Sequence, residues 1–501
     1  MAALGARVAF AALVVVAPFR ARSDVLFRPP GAVSAVLADL VLYAVDVLVL
    51  ATLVLWLLAR GLGRRRVDLG PLALRLPAML LIALAWVTIP FGVEPSLSVV
   101  GAVRITAGAL LALYVLNEVD GLGSIALPVA AMLGIQATVG IAQAVTGGSV
   151  GLGGIGELSL DPAASGTSVV TATDGTRVLR AYGLTPHPNV LGGFLACGLL
   201  LLLGVAVSTR AAVSTRATVS TRAAVSARAA VSARAARARG PALLAVISLA
   251  AAALVLTFSR GAWLAGLAGL VVGLVIAAGA ARAGSADPVP PGRRPDPGAA
   301  QPIRRWLVTA GLVLVVAGTV GWLARDAIAS RARLGPSVAA TEQRSIDERL
   351  EQIRLGWRVV VERPLAGAGA SAVPIAMREL EPEFPFAFYA PHLVALAVAG
   401  ELGIIGGVAY GWLMAAPWVM LARARRRWTV ELAGASAGLA ALTVVSLFDD
   451  YPWVGGPGRT LAWLVLGLWA MAWARAGRDQ AAETATNAAS TGARPAAPPG
   501  D

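Results

Sequence analysis

The chain has few of the residues from which metal and redox sites are usually built. Its 501 residues include one cysteine, two histidines and no lysine. Cys197 has no second thiol with which to form an intrachain disulfide, so we expect it to pack as a small apolar side chain. The sequence contains no HExxH motif, paired cysteines or clustered histidines, which weighs against a zinc site.

Charged residues are also scarce. They make up 14% of the chain, whereas 57% of the residues are hydrophobic and the mean hydropathy is +0.74. This composition is more apolar than a soluble globular protein of this length would need, and it predicts an all-α, polytopic integral membrane protein. The net charge of +14 comes from arginine. A net charge alone does not show where on the protein the arginines lie, so it does not require nucleic acid as a partner.

Long apolar runs set the expected number of membrane crossings. A transmembrane helix needs roughly 20 apolar residues, and this length divides the chain into about twelve segments. The first run lacks a clear small-residue cleavage site, so we interpret it as a retained helix rather than a signal peptide. The expected spans are 4–19, 33–59, 72–91, 99–118, 124–146, 188–207, 242–258, 261–281, 306–324, 393–421, 430–448 and 459–475.

Arginines between the spans predict the orientation, because short cytoplasmic loops retain positive charge. They cluster at 60–66, 208–240, 281–305 and 423–427. An even number of spans then places both termini in the cytoplasm, although three arginines that follow the first span argue against this orientation. The segments expected together on the outer face are 147–187, Arg260, 325–392 and 449–458.

A hexapeptide repeat fills one predicted cytoplasmic loop, from Val207 to Ala236. Six residues advance a helix by about 240°, so the arginines of the repeat spiral around it rather than forming one face. Two interpretations stay open: a basic patch that contacts anionic lipid headgroups, or a tolerated expansion that helps to set the topology. Residues 283–302 and the tail after Gly477 are predicted to be flexible.

The longest polar segment, 325–391, contains nine arginines and nine acidic residues. Within it, 341–363 predicts an amphipathic helix, with Ser345 and Glu348 at capping-box spacing and Pro364 at its end. We expect this helix to lie against the membrane face or to pack on the bundle as a lid. Its predicted apolar stripe consists of Ile346, Leu350, Ile353, Trp357 and Val361.

A glycine-rich segment, PLAGAGA, follows from Pro364 to Ala370. Its glycines permit a tight return of the backbone toward the membrane. The segment lacks the spacing and the lysine of a phosphate-binding P-loop, so nucleotide binding is not expected.

Histidine is the natural candidate for acid–base chemistry in this sequence. His392 could act as a general base because the pKa of histidine lies near neutrality, or it could be an interfacial packing residue. Glu401 shares the angular position of His392 on a predicted helix but is too far along it to orient the imidazole, so another partner is needed. Asp449 and Asp450 could hold a hard cation, or they could cap a helix end and pair with arginine.

Two arginines next to apolar runs are further candidates. Arg260 lies in LTFSRGAW between two such runs. Inside the membrane a guanidinium needs a cavity or a counter-charge, which would make Arg260 a functional residue. Alternatively, Arg260 marks the turn of a tight helical hairpin. Arg180 precedes the sixth span, where it could make bidentate bonds to a phosphate or could simply be solvated.

Four segments resemble, in their order and spacing, the bacterial O-antigen ligase and polymerase family: RAYGLTPHPNVLGGFLA, LTFSRGAWLAGLAGL, RLEQIRLGW with ERPLAGAGA, and HLVALAVAGELGIIGGVAYGW. The resemblance covers 175–421, a core that includes the repeat loop 208–240 and the outer loop 325–391. The rest divides into N-terminal helices at 1–174, C-terminal helices at 422–476 and a disordered cytoplasmic tail at 477–501.

The resemblance implies a twelve-helix glycosyltransferase of the GT-C type in the bacterial inner membrane. Such an enzyme transfers a glycan from an undecaprenyl-pyrophosphate carrier to an acceptor on the extracytoplasmic face. It implies no cofactor, because family members are metal-independent and use no nucleotide sugar. The expected partners are the carrier-linked glycan, a lipid or glycan acceptor, and membrane lipids.

The resemblance also assigns roles to individual residues. Arg180 and Arg260 match family arginines thought to hold the pyrophosphate, and His392 matches the histidine thought to activate the acceptor hydroxyl. Arg349 matches a recurrent loop arginine. His187 stands where many members have asparagine or serine, and it could contact a substrate or cap a helix. The HLVAL sequence at His392 lacks an asparagine that many members have, so any contact made by that asparagine is missing.

Several functions share this resemblance. It does not separate a ligase from a polysaccharide polymerase or from a protein O-oligosaccharyltransferase, and the usual loop signature of shape and division peptidoglycan polymerases is not found. A flippase or exporter of the lipid-linked sugar is the non-enzyme alternative, with Arg180 and Arg260 along its path. Polar residues gather on one predicted side rather than inside several helices, which favours the enzyme.

Overall fold

The computed structural model describes residues 1–24, 41–64, 66–164, 166–172, 174–219, 227–285, 301–332 and 336–491. In this part the N-terminal elements are α1 Ala2–Val16, β1 Arg22–Asp24, β2 Val41–Tyr43, α2 Ala44–Gly63, α3 Leu72–Val87, α4 Pro95–Glu118, α5 Ala126–Thr146, β3 Val169–Thr171 and β4 Arg177–Leu179. The elements that follow are α6 Pro188–Val219, α7 Ala227–Leu256, α8 Arg260–Ser285, α9 Gln301–Leu323, α10 Arg325–Ala332, α11 Pro336–Glu362, α12 Val373–Leu380, α13 Val394–Arg423, α14 Val430–Phe448, α15 Tyr451–Val454 and α16 Gly456–Thr491.

Apolar helices of membrane-spanning length dominate this architecture. Nine helices in the described part are long and apolar enough to cross a membrane, which confirms a helical, polytopic membrane protein. Three shorter apolar helices, Ala2–Val16, Leu72–Val87 and Gly240–Leu256, coincide with the remaining expected spans. The total of twelve crossings stays a prediction.

The central helix of the bundle is α6. Its apolar segment Pro188–Ser208 is buried by the surrounding helices except at Asn189 and Ser208, which are partly buried, as expected for a helix that is hydrophobic on every side. α14 packs against both α6 and α8, while α16 runs along α4 and α13 runs along α3. One continuous apolar core includes side chains from α1 to α9 and from α13 to α16, and it crosses the predicted divisions after residues 174 and 421.

The second predicted span begins later than expected. The expected span 33–59 includes residues 41–43, but these form β2, which pairs antiparallel with β1, and α2 begins only at Ala44. The β-branched and aromatic residues of VLY suit a strand, and alternate burial along β2 accompanies the pairing. Residues 33–40 lie outside the described residues.

Alanine-rich sequence extends helices beyond their expected ends. The predicted disordered tail is wrong for residues 477–491, which continue α16 to Thr491. In the predicted repeat loop, residues 208–219 prolong α6 and residues 227–240 begin α7. Alanine and arginine have high helix propensity, so a segment without apolar periodicity still extends a helix that is already nucleated. The side chains of 209–239 lie outside the described residues.

The amphipathic helix α11 begins earlier than the sequence suggested. It starts at Pro336, so Ser345 and Glu348 lie inside the helix and the expected capping box is wrong. Proline at the first helical position supplies the start instead, because its missing N–H has no intrahelical partner there. The helix ends at Glu362, two residues before Pro364 as expected.

The predicted apolar stripe of α11 faces away from the protein. Ile346, Leu350, Trp357 and Val361 are each between 40% and 60% exposed. The buried face instead includes Leu355 and Val359, which pack in a small core with residues of α12. The prediction that this stripe packs on the bundle is therefore wrong. The alternative, in which the stripe faces the membrane, stays a prediction.

The PLAGAGA segment enters a break in α13. The expected regular helix over 393–421 is interrupted at Gly403, whose φ of 77° and ψ of 175° are not helical. The backbone N–H of Ile404 donates to the carbonyl of Pro364 at 2.8 Å, and the N–H of Ala368 donates to the carbonyl of Gly400 at 2.7 Å. Backbone groups that the break would leave unpaired are thereby satisfied by the returning segment.

Candidate active site

The candidate site forms where several chain segments meet at one end of the bundle. They are the turn before α6, the connection between α7 and α8, the residues just before α13 and the end of α14. Each lies at a helix terminus, because polar side chains inside an apolar bundle are costly without partners. The site residues are thus contributed by segments that are distant in the sequence.

His392 lies two residues before α13, and its imidazole is 21% exposed. Its Nδ1 atom is 3.4 Å from Oδ1 of Asp450 and 3.6 Å from Oδ1 of Asp449. Both distances are those of ion pairs, and neither carboxylate forms an aligned hydrogen bond with Nδ1. The orienting partner that His392 needed is therefore the carboxylate pair at the end of α14. Because His392 precedes the helix, the angular relationship to Glu401 does not apply.

The charges around His392 set the direction of its pKa. Burial by itself lowers that pKa, but the carboxylates of Asp450 and Asp449 outweigh burial, and the pKa of His392 is raised above its usual value. The positive charge of Arg349 acts in the opposite direction. Arg349 therefore belongs to the surroundings of His392, as a half-buried side chain of α11.

Asp449 is the more constrained of the two carboxylates. Burial raises the pKa of its carboxyl to about 6, while His392, Arg349 and a hydrogen bond from Asn189 oppose that rise. The side-chain nitrogen of Asn189 donates to Oδ2 of Asp449 at 2.9 Å. Because the pKa of this carboxyl is raised by burial and opposed by the adjacent histidine, the protonation of Asp449 and that of His392 depend on each other.

Arg180 is connected to this pair through Asn189. The arginine is only 4% exposed. Its Nη2 donates to Oδ1 of Asn189 at 2.7 Å, its Nε donates to the carbonyl of Thr257 at 2.7 Å, and its Nη1 donates to Oγ of Ser168 at 2.8 Å. One amide thus separates the guanidinium of Arg180 from the carboxylate of Asp449.

Arg260 occupies a different position from Arg180. It is the first residue of α8 and it is exposed. It follows Thr257, whose carbonyl accepts from Arg180, by three residues, so both arginines lie at the same end of the bundle. An exposed guanidinium at a helix N-terminus, where the helix dipole is positive, adds to a site suited to an anion.

His187 is the N-terminal capping residue of α6. Its backbone carbonyl accepts the N–H of Leu191 at 3.2 Å, and its Nδ1 accepts the N–H of Asn189 at 3.2 Å. This is the geometry of the capping alternative. The cap also fixes the backbone of Asn189, which connects Arg180 to Asp449.

Glu401 supports the site from inside the bundle. Its buried carboxylate accepts the indole N–H of Trp453 at 2.9 Å. Trp453 lies in α15, directly after the two aspartates, and its carbonyl accepts from Nε of Arg459 at 2.7 Å. Glu401 therefore holds the segment that follows Asp450 and does not reach the imidazole of His392 through these bonds.

Sequence reasoning did not identify Asn189 or Trp453 as site residues. It did place 392 and 449–458 on one predicted face, and this shared face was the available signal for pairing His392 with the aspartates. Asn189 stands in the quoted HPN segment. The role of its amide depends on the packing of the end of α14 beside the start of α6, and the sequence alone does not show this packing.

The same three groups could also ligate a cation. One donor atom each from His392, Asp449 and Asp450 lie within 4.8 Å of one another. Imidazole nitrogen with carboxylate oxygen suits a divalent transition metal better than calcium, which takes six to eight oxygen ligands. Such an ion would use the Nδ1 atom and the carboxylates that otherwise pair with each other.

Comparison with known proteins concerns the central part of the chain. Residues 244–411 match the family model described as O-antigen ligase. The matched region is about a third of the chain, and it includes Arg260, Arg349, His392 and Glu401. No curated protein matches this chain.

Proposed function

We propose that this protein transfers a lipid-linked glycan to an acceptor hydroxyl. The premise is its membership of the O-antigen ligase family, supported by the match of residues 244–411 to that family's model. The family match and the apolar helices support a multi-pass membrane protein that takes part in glycan transfer. The proposed donor is a glycan on undecaprenyl pyrophosphate, and the acceptor is a lipid or glycan. The observation that supports this most is the contact of His392 with Asp449 and Asp450 at the end of the bundle where Arg180 and Arg260 lie.

His392 acts as the general base in this proposal. Since Nδ1 faces the two carboxylates, Nε2 is the nitrogen that takes the proton from the acceptor hydroxyl. The acceptor oxygen attacks the anomeric carbon as the bond from that carbon to the pyrophosphate oxygen breaks, and its electrons leave with undecaprenyl pyrophosphate. A single displacement inverts the anomeric configuration. The carboxylates stabilise the imidazolium that forms.

Arginines stabilise the departing pyrophosphate in this reaction. Arg260 is exposed and supplies direct bonds, whereas the buried Arg180 contributes its charge while holding Asn189 and the carbonyl of Thr257. Two positive charges aimed at a developing phosphate charge perform the role that a divalent cation has in other phosphate chemistry. The proposed reaction is therefore metal-independent. Arg349, whose charge acts on His392, is a supporting residue in this proposal.

The distribution of arginine supports a site on the extracytoplasmic face with both termini in the cytoplasm of the bacterial inner membrane. Arg423 ends α13, whose other end follows His392. Arg60 pairs with Glu118 at 2.6 Å near the end of α4, and Arg427 lies over the ring of Trp473 at 5.2 Å. These cations lie away from the proposed site, as retention of positive charge in the cytoplasm requires.

Reconstitution tests the proposal directly. The full-length protein in liposomes receives an undecaprenyl-pyrophosphate glycan and a panel of lipid, glycan and protein acceptors, and product formation is measured. We expect His392→Ala and Arg260→Ala each to lower the transfer rate by about a hundredfold or more. Arg282→Ala, at the opposite end of α8, is the matched control and should retain the wild-type rate.

Each possible result distinguishes between functions. The acceptor that is used separates a ligase from a polymerase or a protein O-oligosaccharyltransferase. Persistent transfer in both site variants would show that the proposed site is wrong. Movement of the carrier lipid across the vesicle membrane without any transfer would instead indicate a flippase.

A further inference from the structure

Tyr389 is an exposed aromatic residue that precedes His392 by three positions. Its side chain belongs to a residue that is 39% exposed, whereas the two residues between it and His392, Ala390 and Pro391, are buried. Three residues of fully extended chain span at most about 11 Å, so the Cα atoms of Tyr389 and His392 are no farther apart than that. The phenol ring therefore lies close to the proposed base.

The backbone on both sides of Tyr389 is held by the amphipathic helix α11. The carbonyl of Ala387 accepts the side-chain N–H of Gln352 at 3.2 Å and the backbone N–H of Tyr389 at 3.0 Å. On the other side, Pro391 lies so close to α11 that a Cβ on Gly356 would be 2.2 Å from its Cγ. Tyr389 is therefore an exposed ring on a constrained backbone, as expected of a residue that recognises a ligand.

Three phenylalanines pack in the segment just before Tyr389. Phe384 is buried in the small core shared by α11 and α12. The rings of Phe386 and Phe388 pack on it, with centroid distances of 5.7 Å and 5.4 Å. Core packing accounts for these three rings. It does not account for Tyr389, which belongs to none of the apolar cores formed by the described residues.

The segment before His392 lies beside a different face of α11 from the exposed apolar stripe. Arg349, Gln352 and Gly356 are spaced by three and four residues, so they share one face of the helix. That face contacts the segment through Gln352 and Gly356, while the charge of Arg349 acts on His392. At about 100° per residue, this face lies roughly 100° around the helix from Trp357 of the apolar stripe.

Charged residues border the same segment. Glu381 forms ion pairs with Arg354 at 3.0 Å and with Arg358 at 2.6 Å, and Glu383 is exposed. Charged side chains are costly in the hydrocarbon of a membrane, so they favour a position in water or among headgroups for this segment. Aromatic rings among a few polar groups are typical of sites that bind small polar ligands.

We propose that Tyr389 binds the acceptor by stacking on the apolar face of a sugar ring, which makes the acceptor a glycan or a glycolipid rather than a protein. The inference rests on the proposed function for the hydroxyl that His392 deprotonates. A pyranose ring carries C–H groups on its face and hydroxyls at its rim, and the slightly positive C–H groups match the negative face of an aromatic ring. A sugar on Tyr389 then directs a rim hydroxyl, its own or that of the next sugar, toward His392.

Binding can be measured apart from transfer. The full-length protein in phosphatidylcholine nanodiscs is titrated with the methyl glycosides of glucose, galactose and mannose, and with acyclic sorbitol, by saturation-transfer NMR. We expect at least one pyranoside to bind, with saturation strongest on the hydrogens of one ring face, and sorbitol not to bind. Tyr389→Phe should keep the affinity, whereas Tyr389→Leu should lower it by about fivefold to tenfold, because leucine has no flat face.

Trp357→Leu is the matched control. It also removes an exposed aromatic ring from α11 or its neighbouring segment, but from the other face of the helix, and it should leave pyranoside binding unchanged. In the reconstituted transfer assay, Tyr389→Leu should raise the KM for the acceptor more than it lowers kcat, since it removes binding rather than the base. Thermal unfolding of each variant checks that the fold is retained.

Contact of Tyr389 with lipid is the alternative, and a fluorescent label distinguishes it. The chain has one cysteine, Cys197, and that thiol is buried. Tyr389→Cys therefore supplies one accessible thiol for labelling. We expect aqueous iodide to quench the label and brominated lipids to have little effect. Strong quenching by brominated lipids would overturn the inference, because the residue would then face the bilayer.

The inference is also overturned if no pyranoside binds, if sorbitol binds equally well, or if Tyr389→Leu binds like the wild type. An unchanged acceptor KM in Tyr389→Leu, with transfer lost in His392→Ala, would overturn it and leave the proposed function intact. Pyranoside binding that is lost in Tyr389→Leu, without any transfer by the wild type, would support the sugar site and overturn the proposed function.

Discussion

Asn189 donates from its side-chain nitrogen to Oδ2 of Asp449 at 2.9 Å, across 260 positions of the chain. The same amide accepts from Arg180 with its oxygen at 2.7 Å. Its dipole is therefore oriented with the oxygen toward the cation and the nitrogen toward the anion, and both ends are stabilised. This amide joins the start of α6 to the end of α14, and it connects the buried Arg180 to the acid next to His392.

Replacing Asn189 with leucine should lower activity more than stability. Without the donated hydrogen bond the pKa of Asp449 rises further above its usual value, and less carboxylate faces His392. We expect the transfer rate to fall by about tenfold, corresponding to about 1.4 kcal/mol. Asn117→Leu is the control, because Asn117 also bridges two segments, with its Oδ1 accepting the backbone N–H of Asp68 at 2.9 Å, but far from the site. Equal activity losses in the two variants would contradict the role given to Asn189.

The pH dependence of transfer should reflect His392. Its raised pKa keeps the imidazole protonated, and thus inactive as a base, up to a pH above 6.5, so kcat/KM should fall on the acid side of that value. In Asp450→Asn a stabilising carboxylate is lost, the pKa of His392 falls, and the acid limb should move to lower pH. Profiles of kcat/KM from pH 5 to 9 measure this shift. An unchanged acid limb in the variant would rule out pairing between the two side chains.

The break in α13 should depend on Gly403. A Cβ at this residue would lie 2.2 Å from the carbonyl oxygen of Leu365, and its φ and ψ are accessible essentially to glycine alone. Gly403→Ala should therefore destabilise the protein by about 2 kcal/mol or more. Gly411→Ala is the control in the same helix, where an added Cβ meets no atom of the described residues within 4 Å and alanine favours the helix. Thermal unfolding in detergent compares them, and a higher melting temperature for Gly411→Ala alone is expected.

Trp357 should contact lipid. It is 58% exposed on the apolar stripe of α11, and tryptophan favours the membrane interface. Brominated lipids should quench part of the tryptophan fluorescence, and Trp357→Phe should reduce that quenched fraction. Trp306→Phe is the control, because Trp306 is fully buried in the protein and its loss should not reduce the quenched fraction. Identical quenching by wild type and Trp357→Phe would place the stripe away from the bilayer.

Chelation distinguishes the two uses of His392, Asp449 and Asp450. If the histidine acts as the base and arginines stabilise the pyrophosphate, incubation with EDTA should leave the transfer rate within about twofold of the untreated enzyme. Added Mn²⁺ or Mg²⁺ should not raise it. A strict requirement for a divalent metal, restored by one ion after chelation, would assign these three groups to a metal site instead.

Local sequence was sufficient for most of the helices. Apolar runs of membrane-spanning length depend only on composition over about 20 residues, and each expected span overlaps an apolar helix in the described part of the chain. The errors concern helix ends and breaks, at Ala44, Pro336, Gly403 and Thr491, and the face of α11 that is buried. The structure at these residues depends on strand pairing, on packing or on the helix propensity of alanine-rich sequence. Hydropathy does not measure any of these properties.

For the candidate site, the sequence by itself determined which side chains were available. His392, Arg180, Arg260 and Arg349 could be named from their residue types and their resemblance to a family. Only the tertiary structure decided that His392 meets the aspartates at the end of α14 and that Asn189 joins them to Arg180. The physical reason is that helical period and run length are local properties, whereas a contact across 260 positions exists only after α6 and α14 have packed.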